Sequence, residues 1–198
     1  MRIHRFGTEN ILEFNLPEFT SESIIRYFLY LKQNGLGQYD GKGLDQFKKS
    51  NYNGFQSTIY NFIGRKKHID ECVEPLFNKI GDLIKEYCDS RFEYRLNNYW
   101  FNINHKGSSN KLHNHNHPDN PQGGLSGVFY LAVPNDSGDI IFQLESKEQF
   151  KLKSATGKLI IFPIYLDHLV EQSKSNEYRM SIAFNYDSIL NKNKMSVL

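Results

Sequence analysis

From about residue 91 onward the apolar residues follow a period of two, and this pattern limits the fold more than any other feature of the chain. Short apolar runs are separated by turn residues at 134–138 and 155–157, where Gly, Asn and Asp tolerate positive φ. Alternation of this kind is typical of strands in a sandwich or barrel. We predict strands at 94–104, 112–117, 125–133, 139–143, 150–153, 158–163, 168–172 and 178–186.

The first half of the chain is predicted to contain two helices and irregular structure. Thr20 or Ser21 can cap a helix whose apolar stripe includes Phe28, and Asn34-Gly35 can end it. A second helix is expected over 68–88, with Pro75 near its start or at a kink. Residues 35–60 show no clear period and are expected to form loops.

These elements predict a single domain over residues 1–198. Its fold class is α+β, mainly β: a double-stranded β-helix (jelly roll, cupin-like) flanked by N-terminal helices. Residues 1–90 would form a helical and irregular cover, 91–187 the jelly-roll core, and 188–198 a tail.

Composition limits the classes of partner. The chain has 24 Lys plus Arg against 22 Asp plus Glu, a net charge of +2, so no nucleic-acid partner is expected. No apolar run approaches the length of a membrane span, and the two cysteines form no disulfide framework. We therefore expect a cytoplasmic protein that acts on a small molecule or peptide. Its oligomeric state stays open, with a homodimer as one option.

The most informative stretch is a histidine cluster. His113, His115 and His117 stand at alternate positions and Asp119 follows, so a strand would project their side chains from one face. His168 follows the apolar run 159–163 after a short bend, where a returning strand can bring it to the same place. Iron(II) sites that activate oxygen use three protein ligands on one face, typically two His and one carboxylate.

A second candidate site lies on the last predicted strand. Arg179, Ser181 and Ala183 share one face of it. If that face points inward, the guanidinium and the hydroxyl can hold a carboxylate by a charge-assisted contact and a further hydrogen bond. The Tyr130 hydroxyl on a neighbouring strand can add a third donor.

The C-terminal half resembles the 2-oxoglutarate/iron(II) oxygenases of bacteria and phages that are distantly similar to prolyl hydroxylases. The matching blocks occur in order, and each is short. They are Trp100-Phe101-Asn102 with Gly107, His115-Asn116-His117-Pro118, the run 125–131, Gly138-Asp139-Ile140, the run 157–163, His168-Leu169-Val170, and the run 179–185.

The resemblance implies a jelly-roll fold, iron(II), and 2-oxoglutarate and dioxygen as cosubstrates, with release of succinate and carbon dioxide as a substrate is hydroxylated. It favours His115, His117 and His168 as metal ligands, although His117-Pro118-Asp119 offers the alternative set His117, Asp119 and His168.

The same resemblance implies that Arg179 and Ser181, with Tyr130, bind the cosubstrate. Trp100 and Asn102 are candidates for the lining of the substrate pocket, and we expect no catalytic side chain beyond the metal ligands.

Two other functions fit the same pattern. One is a cofactor-independent three-histidine dioxygenase or isomerase of the cupin type, which would not need Arg179 and Ser181. The other is a non-catalytic jelly-roll binding module in which the histidines lie on the surface.

Overall fold

A computed structural model describes residues 1–39, 50–57, 60–61, 69–116 and 123–190. Their strands form two antiparallel sheets, of nine and five strands. The larger sheet contains, in spatial order, β1 (Arg2–Phe6), β2 (Glu9–Asn15), β12 (Lys158–Pro163), β9 (Gly124–Ala132), β14 (Arg179–Leu190), β7 (Phe92–Asn104), β5 (Phe55–Ser57) and β3 (Gly37–Tyr39), with β6 (Tyr60–Asn61) also paired to β7. The smaller sheet contains β11 (Gln149–Leu152), β10 (Ile140–Gln143), β13 (Asp167–Val170), β8 (Ser109–His113) and β4 (Asn51–Tyr52).

The larger sheet is buried on both faces. Its outer face packs on the two helices, α1 (Glu22–Gln33) and α2 (Glu74–Tyr87), in a cluster that includes Phe28, Phe77, Phe101, Ile182 and Phe184. Its inner face packs on the smaller sheet in a second cluster that includes Ile11, Tyr130, Phe142, Ile160 and Phe162. Two facing antiparallel sheets with helices on one side form the predicted helix-flanked jelly roll.

Sequence signals mark both ends of α1 and the start of α2, although α2 begins at Glu74 rather than at the predicted residue 68. The Ser21 hydroxyl accepts a hydrogen bond from the Ile24 amide at 3.4 Å and caps α1. The helix ends at Gln33, and Gly35 just beyond the cap residue Asn34 has a φ of +66°, which suits a residue without Cβ. Pro75 lies in the first turn of α2, where a backbone N–H would have no partner within the helix, so the lack of one in proline costs no hydrogen bond. No helix in the described part of the chain is long and apolar enough to cross a bilayer.

Residues 1–90 contain more β-structure than predicted. Strands β1 and β2 extend the larger sheet beside β12, where we expected irregular structure. Strand β2 shows no simple alternation because it is buried on both sides: Ile11 packs toward the smaller sheet, and Leu12 and Phe14 pack toward the helices. Within the predicted loop 35–60, short strands occur at β3, β4 and β5, while residues 40–49 and 58–59 lie outside the described residues.

The eight predicted strands correspond to β7 through β14. The last strand continues to Leu190, so residues 188–190 belong to the larger sheet rather than to the predicted tail 188–198. The strand predicted at 112–117 is β8, which begins at Ser109 and ends at His113. The chain leaves the sheet there because Asn114 donates to Asp167 at 2.7 Å and accepts from the Asn116 amide at 3.2 Å. Such an Asx turn competes with the ladder for backbone hydrogen bonds.

Candidate functional site

Three histidines meet between the two sheets. Their potential ligand atoms, one from each of His113, His115 and His168, all lie within 4.8 Å of one another. Strand pairing positions two of them, because His168 on β13 stands directly opposite His113 at the end of β8. His115 lies beyond the strand, and its backbone amide is held by the Ile164 carbonyl at 3.0 Å. Two strands and an anchored loop thus bring the three rings together.

Backbone carbonyls orient two of the rings. His113 Nδ1 lies 2.7 Å from the Lys111 carbonyl oxygen, and His168 Nδ1 lies 2.9 Å from the Leu166 carbonyl oxygen. A carbonyl only accepts, so Nδ1 carries the proton in each ring and Nε2 keeps its lone pair. This is the usual arrangement of a metal-binding histidine, whose other ring nitrogen donates to an outer-shell acceptor.

The surroundings keep the three imidazoles neutral. Phe162 packs edge-on against His168 with ring centroids 4.8 Å apart, and Trp100 lies 5.4 Å from His115. Burial, reinforced by His113, lowers the pKa of His168 to about 3. Burial also holds the pKa of His115 well below its usual range, with His168 and His113 as secondary causes. His113 and His168, neutral and with Nδ1 rather than Nε2 bonded to backbone carbonyls, are suited to bind a cation together with His115.

The structure brings together two of the three predicted ligands and adds a third histidine. His115 and His168 meet, while His117 and Asp119 lie outside the described residues. His113 was not in either predicted ligand set. The signal for it was nevertheless present, because the spacing His-x-His occurs twice in 113–117, and the first pair has the same form as the second.

Arg179 is buried on the inner side of β14, at 2% exposure. Its Nη1 donates to the Ser137 and Gly138 carbonyls, both at 3.0 Å, and its Nε has no hydrogen-bond partner among the described residues. Burial lowers the pKa of this guanidinium, and the nearby Tyr130 and Asp139 side chains offset that desolvation only in part. A buried cation with an unused donor is suited to bind an anion.

Polar side chains continue from Arg179 along the same face. Ser181 on β14 pairs with Tyr130 on β9 and with Asn102 on β7, so the three side chains form one row across three strands. Ser181 and Tyr130 are buried, and the Asn102 Oδ1 atom has no partner among the described residues. Trp100 and Ala183 form the next row, so the Trp100 ring lies between this polar row and the residues of β14 that follow Ala183.

Comparison with protein-family models gives a match in the C-terminal half of the chain. A family model described as "Putative 2OG-Fe(II) oxygenase" matches residues 143–185, which include His168, Arg179 and Ser181. No curated protein sequence matches the chain.

Solved structures share the fold at low identity. A Pseudomonas putida prolyl-4-hydroxylase matches with a TM-score of 0.65 at 13% identity, covering 91% of this chain and 93% of that one. A Trichoplax adhaerens prolyl hydroxylase, solved with a hypoxia inducible factor peptide, gives 0.67 at 15% identity, covering 89% and 83%. The α-ketoglutarate-dependent carbocyclase SnoK of nogalamycin biosynthesis gives 0.62 at 12% identity, covering 95% and 86%.

The predicted resemblance to 2-oxoglutarate/iron(II) oxygenases is therefore confirmed. The family match covers a C-terminal segment, and the structural matches establish the jelly-roll fold over about nine tenths of the chain.

Proposed function

We propose that this protein is a 2-oxoglutarate- and Fe(II)-dependent oxygenase that hydroxylates a small-molecule or peptide substrate. One observation carries the proposal. A cluster of three neutral histidines and a buried arginine with an unpaired donor belong to the same interior, between the two sheets of a jelly roll. The first can hold a metal ion, and the second can hold the anionic end of a cosubstrate.

The donor set fits iron. Imidazole binds Fe(II), and three ligands on one side of the ion leave the remaining positions for other molecules. His113, His115 and His168 would hold the ion through their Nε2 atoms, because the Nδ1 atoms of His113 and His168 are tied to carbonyls. The predicted sets with His117, or with His117 and Asp119, compete with this one and involve residues outside the described chain.

Arg179 would bind the distal carboxylate of 2-oxoglutarate, with the Ser181 and Tyr130 hydroxyls beside it. The Arg179 side chain is already held by two carbonyls, so little ordering is needed on binding. Asn102 and Trp100 line the interior next to this row. When bound, iron and 2-oxoglutarate activate dioxygen and couple release of succinate and carbon dioxide to oxidation of a substrate C–H bond. The protein's own task is to position the reactants and exclude water.

Hydroxylation is the outcome we favour, because both prolyl hydroxylases above share this fold over more than four fifths of each chain. The carbocyclase has the same fold, so products are to be identified rather than assumed. We place the reaction in the cytoplasm, where the unpaired thiols of Cys72 and Cys88 remain reduced.

One observation favours a second function. Three histidines without a carboxylate in the described cluster also suit a cupin-type dioxygenase or isomerase that does not use 2-oxoglutarate. Anaerobic titration with Fe(II) and 2-oxoglutarate separates the two functions. The oxygenase must develop the visible charge-transfer band of an iron-bound 2-oxo acid and must release succinate aerobically. Fe(II) binding without that band would refute our proposal and support the alternative.

Variants of single ligands test the metal site. His168→Ala and His115→Ala should abolish stoichiometric Fe(II) binding, measured by equilibrium dialysis, because each removes a nitrogen that would bind the ion. His105→Ala is the matched control, since His105 hydrogen-bonds the adjacent Lys106 carbonyl outside the cluster. Comparing His113→Ala, His117→Ala and Asp119→Ala then identifies the third ligand. If His113→Ala retains full Fe(II) affinity, the set His113, His115 and His168 is wrong.

A further inference from the structure

A chain of side-chain amides starts at a carboxylate near the far end of β14. Asn97 Nδ2 donates to both oxygens of Asp187, at 2.8 and 2.9 Å. Asn97 is the extra residue of a bulge, because Asn98 pairs with Asn185 and Leu96 pairs with Tyr186. A bulge turns a side chain away from the direction that strand alternation would give it. The Asn97 side chain can therefore contact both Asp187 and the adjacent Asn98.

The carboxylate sets the orientation of every amide in this chain. Asp187 can only accept, so the NH₂ group of Asn97 must face it and the Asn97 oxygen must face away. That oxygen accepts from Asn98 Nδ2 at 3.3 Å, and Asn98 Oδ1 in turn accepts from Asn185 Nδ2 at 2.9 Å. The orientations thus follow from chemistry rather than from an arbitrary assignment of amide nitrogen and oxygen.

The chain ends on an unused acceptor. Asn185 Oδ1 is shielded from solvent and has no hydrogen-bond partner among the described residues, and Asn185 as a whole is 6% exposed. Buried polar atoms are rarely left unpaired, so this oxygen is suited to a donor from a bound molecule. Each donated bond upstream polarises the next, which makes the terminal oxygen a stronger acceptor.

Strand geometry places this acceptor relative to the proposed site. Arg179, Ser181 and Asn185 lie on the same face of β14, and Trp100, which contacts His115, pairs with Ala183 between them. At about 3.3 Å per residue, Asn185 lies about 13 Å along the strand from Ser181, on the other side of the Trp100 row. The histidine cluster contacts the Trp100 row through His115, with Arg179 and Ser181 on one side of that row and the Asn185 oxygen on the other.

We infer that Asn185 recognises an N–H group of the substrate, such as that of a secondary amide, and that Asp187 is a positioning residue that keeps the Asn185 oxygen turned toward it. The inference rests on the proposed function for its location beside an oxidising centre. It defines the substrate class as a molecule that carries an N–H donor able to reach the Asn185 oxygen.

Side-chain amide NMR tests this directly with two matched probes. N-methylacetamide has one N–H donor, and N,N-dimethylacetamide has the same carbonyl without it. In the ¹⁵N-asparagine-labelled full chain, the Asn185 signal is identified by its loss in Asn185→Ala. N-methylacetamide should shift the Asn185 side-chain signal, and the Asn98 signal to a smaller extent, while N,N-dimethylacetamide should not. Equal shifts with both probes would overturn the inference. So would the absence of any Asn185 shift up to the probe concentration at which backbone signals change throughout the protein.

Asp187→Asn tests the positioning role, because a merely structural role of Asp187 would not affect the response of Asn185 to N-methylacetamide. An amide at 187 can donate as well as accept, so the orientation of the chain is no longer dictated and the response to N-methylacetamide should fall several-fold. Asp82→Asn, which changes an exposed carboxylate on α2, should leave the response unchanged. A full response in Asp187→Asn, with an unchanged backbone spectrum, would remove the positioning role.

The titration requires neither iron nor turnover, so it separates the two proposals. A selective N–H response in a protein that does not bind 2-oxoglutarate would support the inference about Asn185 and refute the oxygenase. Succinate release from 2-oxoglutarate without probe selectivity would do the reverse.

Discussion

Arg179→Met separates the functional role of the buried guanidinium from its structural one. Methionine fills the space of the aliphatic part of the arginine side chain without charge. Loss of two charge-assisted hydrogen bonds to a carboxylate, at about 1.5–3 kcal/mol each, removes about 3–6 kcal/mol of binding free energy. The dissociation constant for 2-oxoglutarate should therefore rise by a factor of about 10² to 10⁴.

The same substitution should not destabilise the protein in the absence of 2-oxoglutarate. It removes the two bonds from Nη1 to the Ser137 and Gly138 carbonyls, worth about 1 kcal/mol each. It also removes the desolvation cost of a cation at 2% exposure, which is several kcal/mol. We expect the free energy of unfolding to be unchanged or higher.

Urea unfolding with and without 2-oxoglutarate measures both effects. At 100 times the dissociation constant, a ligand that binds only the folded state stabilises it by about 2.7 kcal/mol. Wild type should show this gain, and Arg179→Met should not. Arg95→Met is the control, because Arg95 is an exposed strand arginine that pairs with Glu93 at 2.8 Å. Undiminished stabilisation of Arg179→Met by 2-oxoglutarate would show that Arg179 does not bind it.

Two further predictions concern the stability of the fold. Phe28→Ala should lower the free energy of unfolding by about 3–5 kcal/mol in urea, whereas Tyr30→Ala on the same helix should change it by less than about 0.5 kcal/mol, because Phe28 is fully buried and Tyr30 is 54% exposed. Similar losses would mean that α1 does not pack as described. Burial raises the pKa of Glu13, but hydrogen bonds from Lys158 and His4 outweigh this effect, so the pKa lies below its usual value. The stabilisation is present above the pKa that Glu13 has in the unfolded chain, and it disappears as the pH falls through the lower pKa of the folded state. Glu13→Gln should therefore lose less stability than wild type between about pH 5 and 3. Parallel pH profiles for Glu13→Gln and wild type would contradict this.

Features with local causes were predictable from the sequence. The Ser21 cap, the turn at Gly138 with its φ of +87° and the strands after residue 91 depend on neighbours in the chain. That Arg179 and Ser181 share one face of β14 also followed from alternation, whereas the burial of that face is seen only in the structure.

Features that depend on long-range pairing were not predictable. Strand β2 is buried on both sides, so its sequence carries no alternating pattern. The selection of His113 depends on where β8 ends and on its pairing with His168, which local propensity does not specify. The bulge at Asn97 arises only when β7 is set against β14, so the amide chain is invisible in the sequence.

Strand β14 carries the interior of the site on alternate residues and the helix-facing core on the residues between them. Inserting or deleting one residue would exchange the two sets, placing Arg179 and Asn185 against the helices and apolar rings in the cavity. Substitutions can therefore change the interior of this site one position at a time, whereas a change in the length of this strand would disturb the core and the site together.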